Sequence, residues 1–216
     1  MLSNWILPAG TTRERLVLAT AEVWMEHGYA GLSEAAICER AGLEPAAFAS
    51  EFAGVEAAGR AALETPIAAI VSLVGAQFGP DRSEPESCMM GIVAILKLMA
   101  ANPAYAHVVY VGRRSGKVPA RVTDAAATAG SLLVAMLERL RESSAIEEQP
   151  PRAGVGALGA AEAVVRREVL AGRTERLLAI CPCVVYGATV PFVGQKEALR
   201  LARLSEPAAA IQAPDP

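Results

Sequence analysis

What most constrains this chain is its punctuation. From residue 12 to residue 204, apolar residues recur every three or four positions in helix-length segments, each cut by glycine or proline. No stretch alternates with the period of two that a half-buried strand requires. Residues 12–27 set the pattern: Leu16, Thr20, Val23, Trp24 and His27 share one stripe, and Gly28 stops the helix. A second helix starts after Ser33, a good N-cap, carries Glu34 at its positive end and stops at Gly42. Pro45 suits the first turn of a third helix, which runs to about Phe52. Three short helices with a glycine turn between the last two form a helix-turn-helix pattern.

The rest reads as helix and loop. Ala57 to Gln77 is one long segment in which Pro66 should cause a kink or a restart. Further helices are expected over 86–101, from Pro103 through Tyr110, and over 119–142 with Leu132, Leu133, Met136, Leu137 and Leu140 inward. Residues 143–156 read as a loop, followed by a helix over 157–171 and a segment from Thr174 that Pro182 resets and Pro191 stops. A last short helix spans 195–204. Alanine supplies 44 of 216 residues and aromatics only 5%, a composition that favours closely packed helices over sheets. The expected fold is all-α: an N-terminal three-helix head (1–55), a larger C-terminal helical domain (56–204) and a disordered tail (205–216).

Several function classes find little support. The longest apolar runs, 67–76 and 89–101, fall short of a membrane span, and Lys97 interrupts the second. The start of the chain has no basic n-region and too short an apolar run for a signal peptide. Four cysteines are too few for a disulfide scaffold, so a cytoplasmic protein with free thiols is expected. Cys181-Pro-Cys183 does not suit a metal, because helix positions i and i+2 point to different faces and no second Cys or His pair completes a ligand set. No phosphate loop or nucleophile elbow is present, and His27 and His107 are the only histidines. The chain therefore reads as a non-enzyme without a cofactor.

The string TRERLVLATAEVWMEHGYAGLSEAAICERAGLEPAAFASEF resembles the DNA-binding region of TetR-type transcriptional regulators. The skeleton of Leu16-Val17, Ala19, Val23-Trp24, Gly28-Tyr29, Ser33, Ile37, Ala41-Gly42-Leu43, Phe48 and Phe52 carries the likeness, and NPAYAHVV, RREVLAGRTERL and CPCVVYGATVPFVGQKEALRLA resemble regulatory domains of such proteins. The resemblance implies a homodimeric repressor whose heads bind adjacent major grooves of a palindromic operator, and whose body encloses an effector that releases the DNA. It makes Thr12, Arg13, Arg15, Ser33, Arg40, Ala47 and Ser50 candidate DNA contacts, with Thr11 beside them.

The chain departs from the family where DNA contact is made. A tyrosine commonly stands where this chain has Ala49, a histidine-like polar group at Glu51 and a lysine at Val55, and Ala35 falls at a position that can contact bases. Residues 1–60 carry four arginines and eight glutamates, a net charge of −4, whereas the remainder carries +1 of the total −3. Only about two to four phosphates per dimer could be neutralised, which implies weak binding confined to low salt. The alternative is a degenerate relative that keeps its dimer and pocket and has lost strong DNA binding.

Candidates for a mostly apolar effector pocket are Leu73, Phe78, Met89, Ile92, Val93, Leu96, Met99, Tyr105, Tyr110, Leu133 and Met136. The same residues would serve equally as bundle core. Val164, Val165 and Val169, with Val184, Val185 and Ala188, form stripes that would pair with their symmetry mates in a four-helix dimer interface, or be buried within one chain.

Overall fold

A computed structural model describes residues 5–115, 118–142, 146 and 152–209, without the side chains of 125–129 and 132; the latter include Leu132, and the expected loop at 143–156 also lies mostly outside the described residues. The described residues are helical and contain no strand. The helices are α1 (Thr12–His27), α2 (Glu34–Ala41), α3 (Pro45–Glu51), α4 (Val55–Gly75), α5 (Glu84–Ala101), α6 (Pro103–Tyr110), α7 (Ala120–Glu142), α8 (Ala153–Leu170) and α9 (Cys181–Ala209).

The head forms as its local chemistry dictates. Thr11 caps α1 in a reciprocal capping box with Glu14, whose carboxyl is held below its ordinary value mainly by the hydrogen bond from the Thr11 backbone N–H. The Ser33 hydroxyl accepts from the Ala36 N–H at the start of α2, and Gly42 ends that helix with a left-handed φ of 62°. Leu16, Trp24, Ile37, Phe48 and Phe52 close the head's core.

The head shares that core with the body. α1 packs on α4 and α6 as well as on α2, and α4 also packs on α5 and α7. This explains the composition of α4. Its 21 residues are apolar enough to cross a membrane, contrary to the reading that no segment was, yet half of its most apolar window is buried by neighbouring helices. A helix wedged between two layers needs apolar residues on more than one face. Pro66 sits inside it without ending it.

Two boundaries in the C-terminal region differ from expectation. α8 begins at Ala153 rather than 157. α9 continues through Pro191, breaks its helical geometry at Gly194 (φ 76°), and runs on to Ala209. Residues 205–209 are therefore ordered, because Ser205 and Ala209 are buried and the Ser205 hydroxyl donates to the Ala202 carbonyl. The tail expected over 210–216 lies outside the described residues. α9 packs along α5 and α8, and these three helices with α6 and α7 enclose the body's core.

Candidate nucleic-acid interface and cavity

The exposed surface of α3 is Pro45, Ala46, Ala49 and Ser50, with Ala47 half-buried. It offers methyl groups and one hydroxyl, and that hydroxyl donates to the Ala47 carbonyl of its own helix at 2.8 Å. The arginines expected to supply phosphate contacts are turned to other work. Arg13 donates to the Glu51 carbonyl at 2.8 Å, sits 3.7 Å from the Glu51 carboxylate and lies over the Phe52 ring. Arg15 donates to the Ala41 carbonyl at 2.6 Å, capping the end of α2. Arg40 bridges α2 to α1 through Glu26 at 2.8 Å and Glu22 at 3.5 Å, and holds the Glu26 carboxyl below its ordinary value.

Each of these three guanidinium groups thus has a partner within the head. Thr12 begins α1, and Ser33 is occupied as the N-cap of α2. Glu34, Glu39 and Glu44 are exposed beside them. The segment before α1 is also fastened to the body: the Leu7 N–H donates to Asn102 Oδ1 at 2.9 Å, and Asn102 Nδ2 donates to the Trp5 carbonyl at 2.7 Å.

The body contains a small cavity of about 60 Å³ among α5, α6, α7, α8 and α9. Five of the expected pocket residues line it: Ile92, Leu96, Tyr110, Leu133 and Met136. Phe78 instead lines a surface groove of about 290 Å³, which shares Leu133 and Met136 with the cavity. Met89, Val93, Met99 and Tyr105 are buried, and Leu73 half-buried, in ordinary core packing away from both spaces. Met136 and Leu133 therefore form the partition between cavity and groove.

The stripes expected at a dimer interface are instead inside the chain. Val165, Val169, Val184, Val185 and Ala188 are buried, and Val165, Val184 and Ala188 line the cavity. Only Val164 of that set is half-exposed. The reason is that α8 and α9 pack these faces on each other and on α5 to α7.

Sequence reasoning missed the charged part of the cavity. Glu162 of α8 stands in its wall, and its two carboxylate oxygens pair with Arg113, at 3.2 Å, and with Arg114. Both arginines follow α6, and Arg113 also donates to the Val109 carbonyl. Burial pushes the Arg113 guanidinium down from its ordinary value and pushes the Tyr110 phenol up. The available signal was Glu162 as the sole acid in the small and apolar run 153–165, together with the Arg113-Arg114 pair just past an apolar helix.

Next to that pair, Gly112 lies against the indole of Trp24, so closely that a Cβ there would come within 2.7 Å of Trp24 Nε1. This indole N–H is buried without a hydrogen-bond partner. The end of α6 thus touches the cavity through Tyr110 and the head through Gly112. The Cys181 thiol is buried, which pushes it up to about 11, whereas Cys183 is exposed, so the two sulfurs face different surroundings.

No protein-family model matches the sequence, and neither does any curated protein. Solved structures do. The fatty acid degradation regulator FadR from Bacillus halodurans superposes with a TM-score of 0.70 at 18% identity, over 79% of this chain and 94% of that one. The transcriptional regulator FadR from Bacillus subtilis, solved in complex with stearoyl-CoA, gives 0.68 at 17% identity, over 83% and 97%. A protein described as a tetR family transcription regulator from Shewanella sp. PV-4 gives 0.61 at 16% identity, over 79% and 96%. At such identities the likeness is one of fold, and the fold of this chain is that of the TetR-type transcription regulators.

Proposed function

We propose that this protein is a dimeric, effector-responsive transcriptional regulator of the cytoplasm, a repressor that binds a palindromic operator and is not an enzyme. The observation that carries this reading is the helix-turn-helix head built onto a helical body through α1, α4 and α6, with α6 touching both the cavity and Trp24. The similar fold of regulators, one of them solved with stearoyl-CoA, supports an effector site in the body. Head and body have their division at about residue 55, the first residue of α4. Dimer contacts fall to the outward surfaces of α8 and α9, where Val155 and Leu170 of α8 are exposed by 51% and 52% and Leu199 and Leu204 of α9 by 41% and 42%.

The cavity is far below the roughly 300–1,000 Å³ of a drug-sized site, so an effector must enlarge it. Displacing Met136 toward the groove provides the room. Motion of α6 then reaches α1 through Gly112 and Trp24, which changes the spacing of the two heads and releases DNA. A second reading has its own observation: Arg13, Arg15 and Arg40 are engaged within the head, which favours a relative with weak or lost DNA binding.

Fluorescence anisotropy of the full-length protein against the DNA upstream of its own coding region, with a scrambled duplex as control, decides between them. Operator binding predicts preference for the native duplex at about 50 mM salt. Equal or no binding to both would remove the repressor reading.

A further inference from the structure

All but two of the side chains around the cavity are aliphatic or thioether; the exceptions are Tyr110 and Glu162. Those two polar groups lie together, since Glu162, Arg113 and Arg114 are the charges that act on the Tyr110 hydroxyl. The cavity therefore has an apolar body and one charged end. That end is the Glu162 carboxylate in the wall, backed by Arg113 and Arg114 just outside the lining; Arg113 and Glu162 keep only 21% of their side-chain surface in solvent and Arg114 43%. A single arginine would suffice to hold the carboxylate and tie the chain after α6 to α8. The second gives the cluster behind the cavity wall one positive charge in excess, which favours an incoming anion that displaces Glu162 over an incoming cation.

We propose that the cavity takes an amphiphilic monoanion, with its apolar part among Ile92, Leu133 and Val165 and its carboxylate held by Arg113 and Arg114, Glu162 giving up one of the two. This rests on the reading of the cavity as an effector site and names the chemical class of the effector. A guanidinium pair matches the planar geometry of a carboxylate, and charge-assisted hydrogen bonds of this kind are about twice as strong as neutral ones. The cavity as it stands has room for about four to six water-sized groups. A six-carbon acid is thus the suitable first probe, and longer chains depend on Met136 moving aside. The charge exchange also falls beside Gly112, so the effector's head would act directly on the contact with Trp24.

Isothermal titration calorimetry of the full-length protein with hexanoate, 1-hexanol and hexylamine tests this. The expected result is hexanoate binding about tenfold more tightly than hexanol, and hexylamine most weakly. Arg113→Gln with Arg114→Gln removes that preference, whereas Glu162→Gln, which frees both arginines, keeps or strengthens hexanoate binding. Circular dichroism checks that each variant is folded. The Glu162→Gln arm separates binding from a purely structural ion pair, for which that variant would weaken hexanoate along with hexanol. Hexanol binding as tightly as hexanoate, hexylamine binding best, or no probe binding at all would overturn the anion assignment. The effector-site reading fails separately: if Ala188→Val, which fills the cavity, leaves binding of every probe unchanged, none of them sits there.

Discussion

The head and the body use arginine in opposite ways. In the head, Arg13 and Arg40 pair with carboxylates and Arg15 donates to a backbone carbonyl of the same three helices. At the end of the cavity, Arg113 and Arg114 share one carboxylate, and a positive charge is left over. Arginines matched singly within the fold make a rigid unit; a second arginine on one carboxylate makes a place for a ligand. The head keeps the helix-turn-helix shape, and three of its arginines are engaged in holding that shape.

The largest effect is expected where the two regions meet. Trp24→Ala empties the site between α1 and Gly112 and should cost about 3–5 kcal/mol in chemical denaturation. Trp24→Phe should cost much less, because the indole N–H makes no hydrogen bond that could be lost. Equal losses from both would mean that the N–H has a partner after all.

Next comes a change intended to undo the head's self-sufficiency. Ala49→Tyr with Val55→Lys and Glu51→Gln restores polar anchors and releases Arg13 from an acid. Affinity for DNA at fixed salt should rise about tenfold, and the salt dependence should steepen by about one to two. Unchanged binding would place the DNA elsewhere on the protein.

In the body, Ala188→Val fills part of the 60 Å³ cavity. Stability should rise by up to about 1 kcal/mol in denaturation, as expected for removing a void of that size. Destabilisation instead would mean that the walls cannot yield, and that the space is smaller than its outline. The smallest effect is expected from Arg40→Gln. Its partners Glu22 and Glu26 already occupy the guanidinium in exposed pairs, so DNA affinity should change by no more than about twofold. A collapse in affinity would show Arg40 reaching a phosphate and would break the contrast between head and body.

Local features were legible in the sequence, and long-range pairings were not. The caps at Ser33 and Pro45 and the left-handed glycine at Gly42 depend on neighbouring backbone, and the spacing alone locates them. Pro191 reads as a stop because proline disrupts a helix interior, yet Gly194 is where the helical geometry fails. The stripes through Val165 and Val184 were correctly apolar, but periodicity marks a buried face without saying what buries it. Here that is the same chain. Leu73, Phe78 and Met89 failed as cavity residues for a related reason: any bundle core has the same pattern. Arg13 with Glu51, and Arg113 with Glu162, lie 38 and 49 residues apart, so no local spacing reveals that their charges are spent on each other.

We propose that the head's arginines hold its fold rather than a DNA backbone. Anisotropy titrations of the protein against its upstream DNA, repeated from about 50 to 200 mM salt, test it most directly. Few phosphate contacts predict a slope of log K against log salt between about −2 and −4, with binding confined to the low-salt end. A slope of about −7 or steeper, with tight binding persisting at 200 mM, would contradict it by showing that the head commits many cationic groups to DNA.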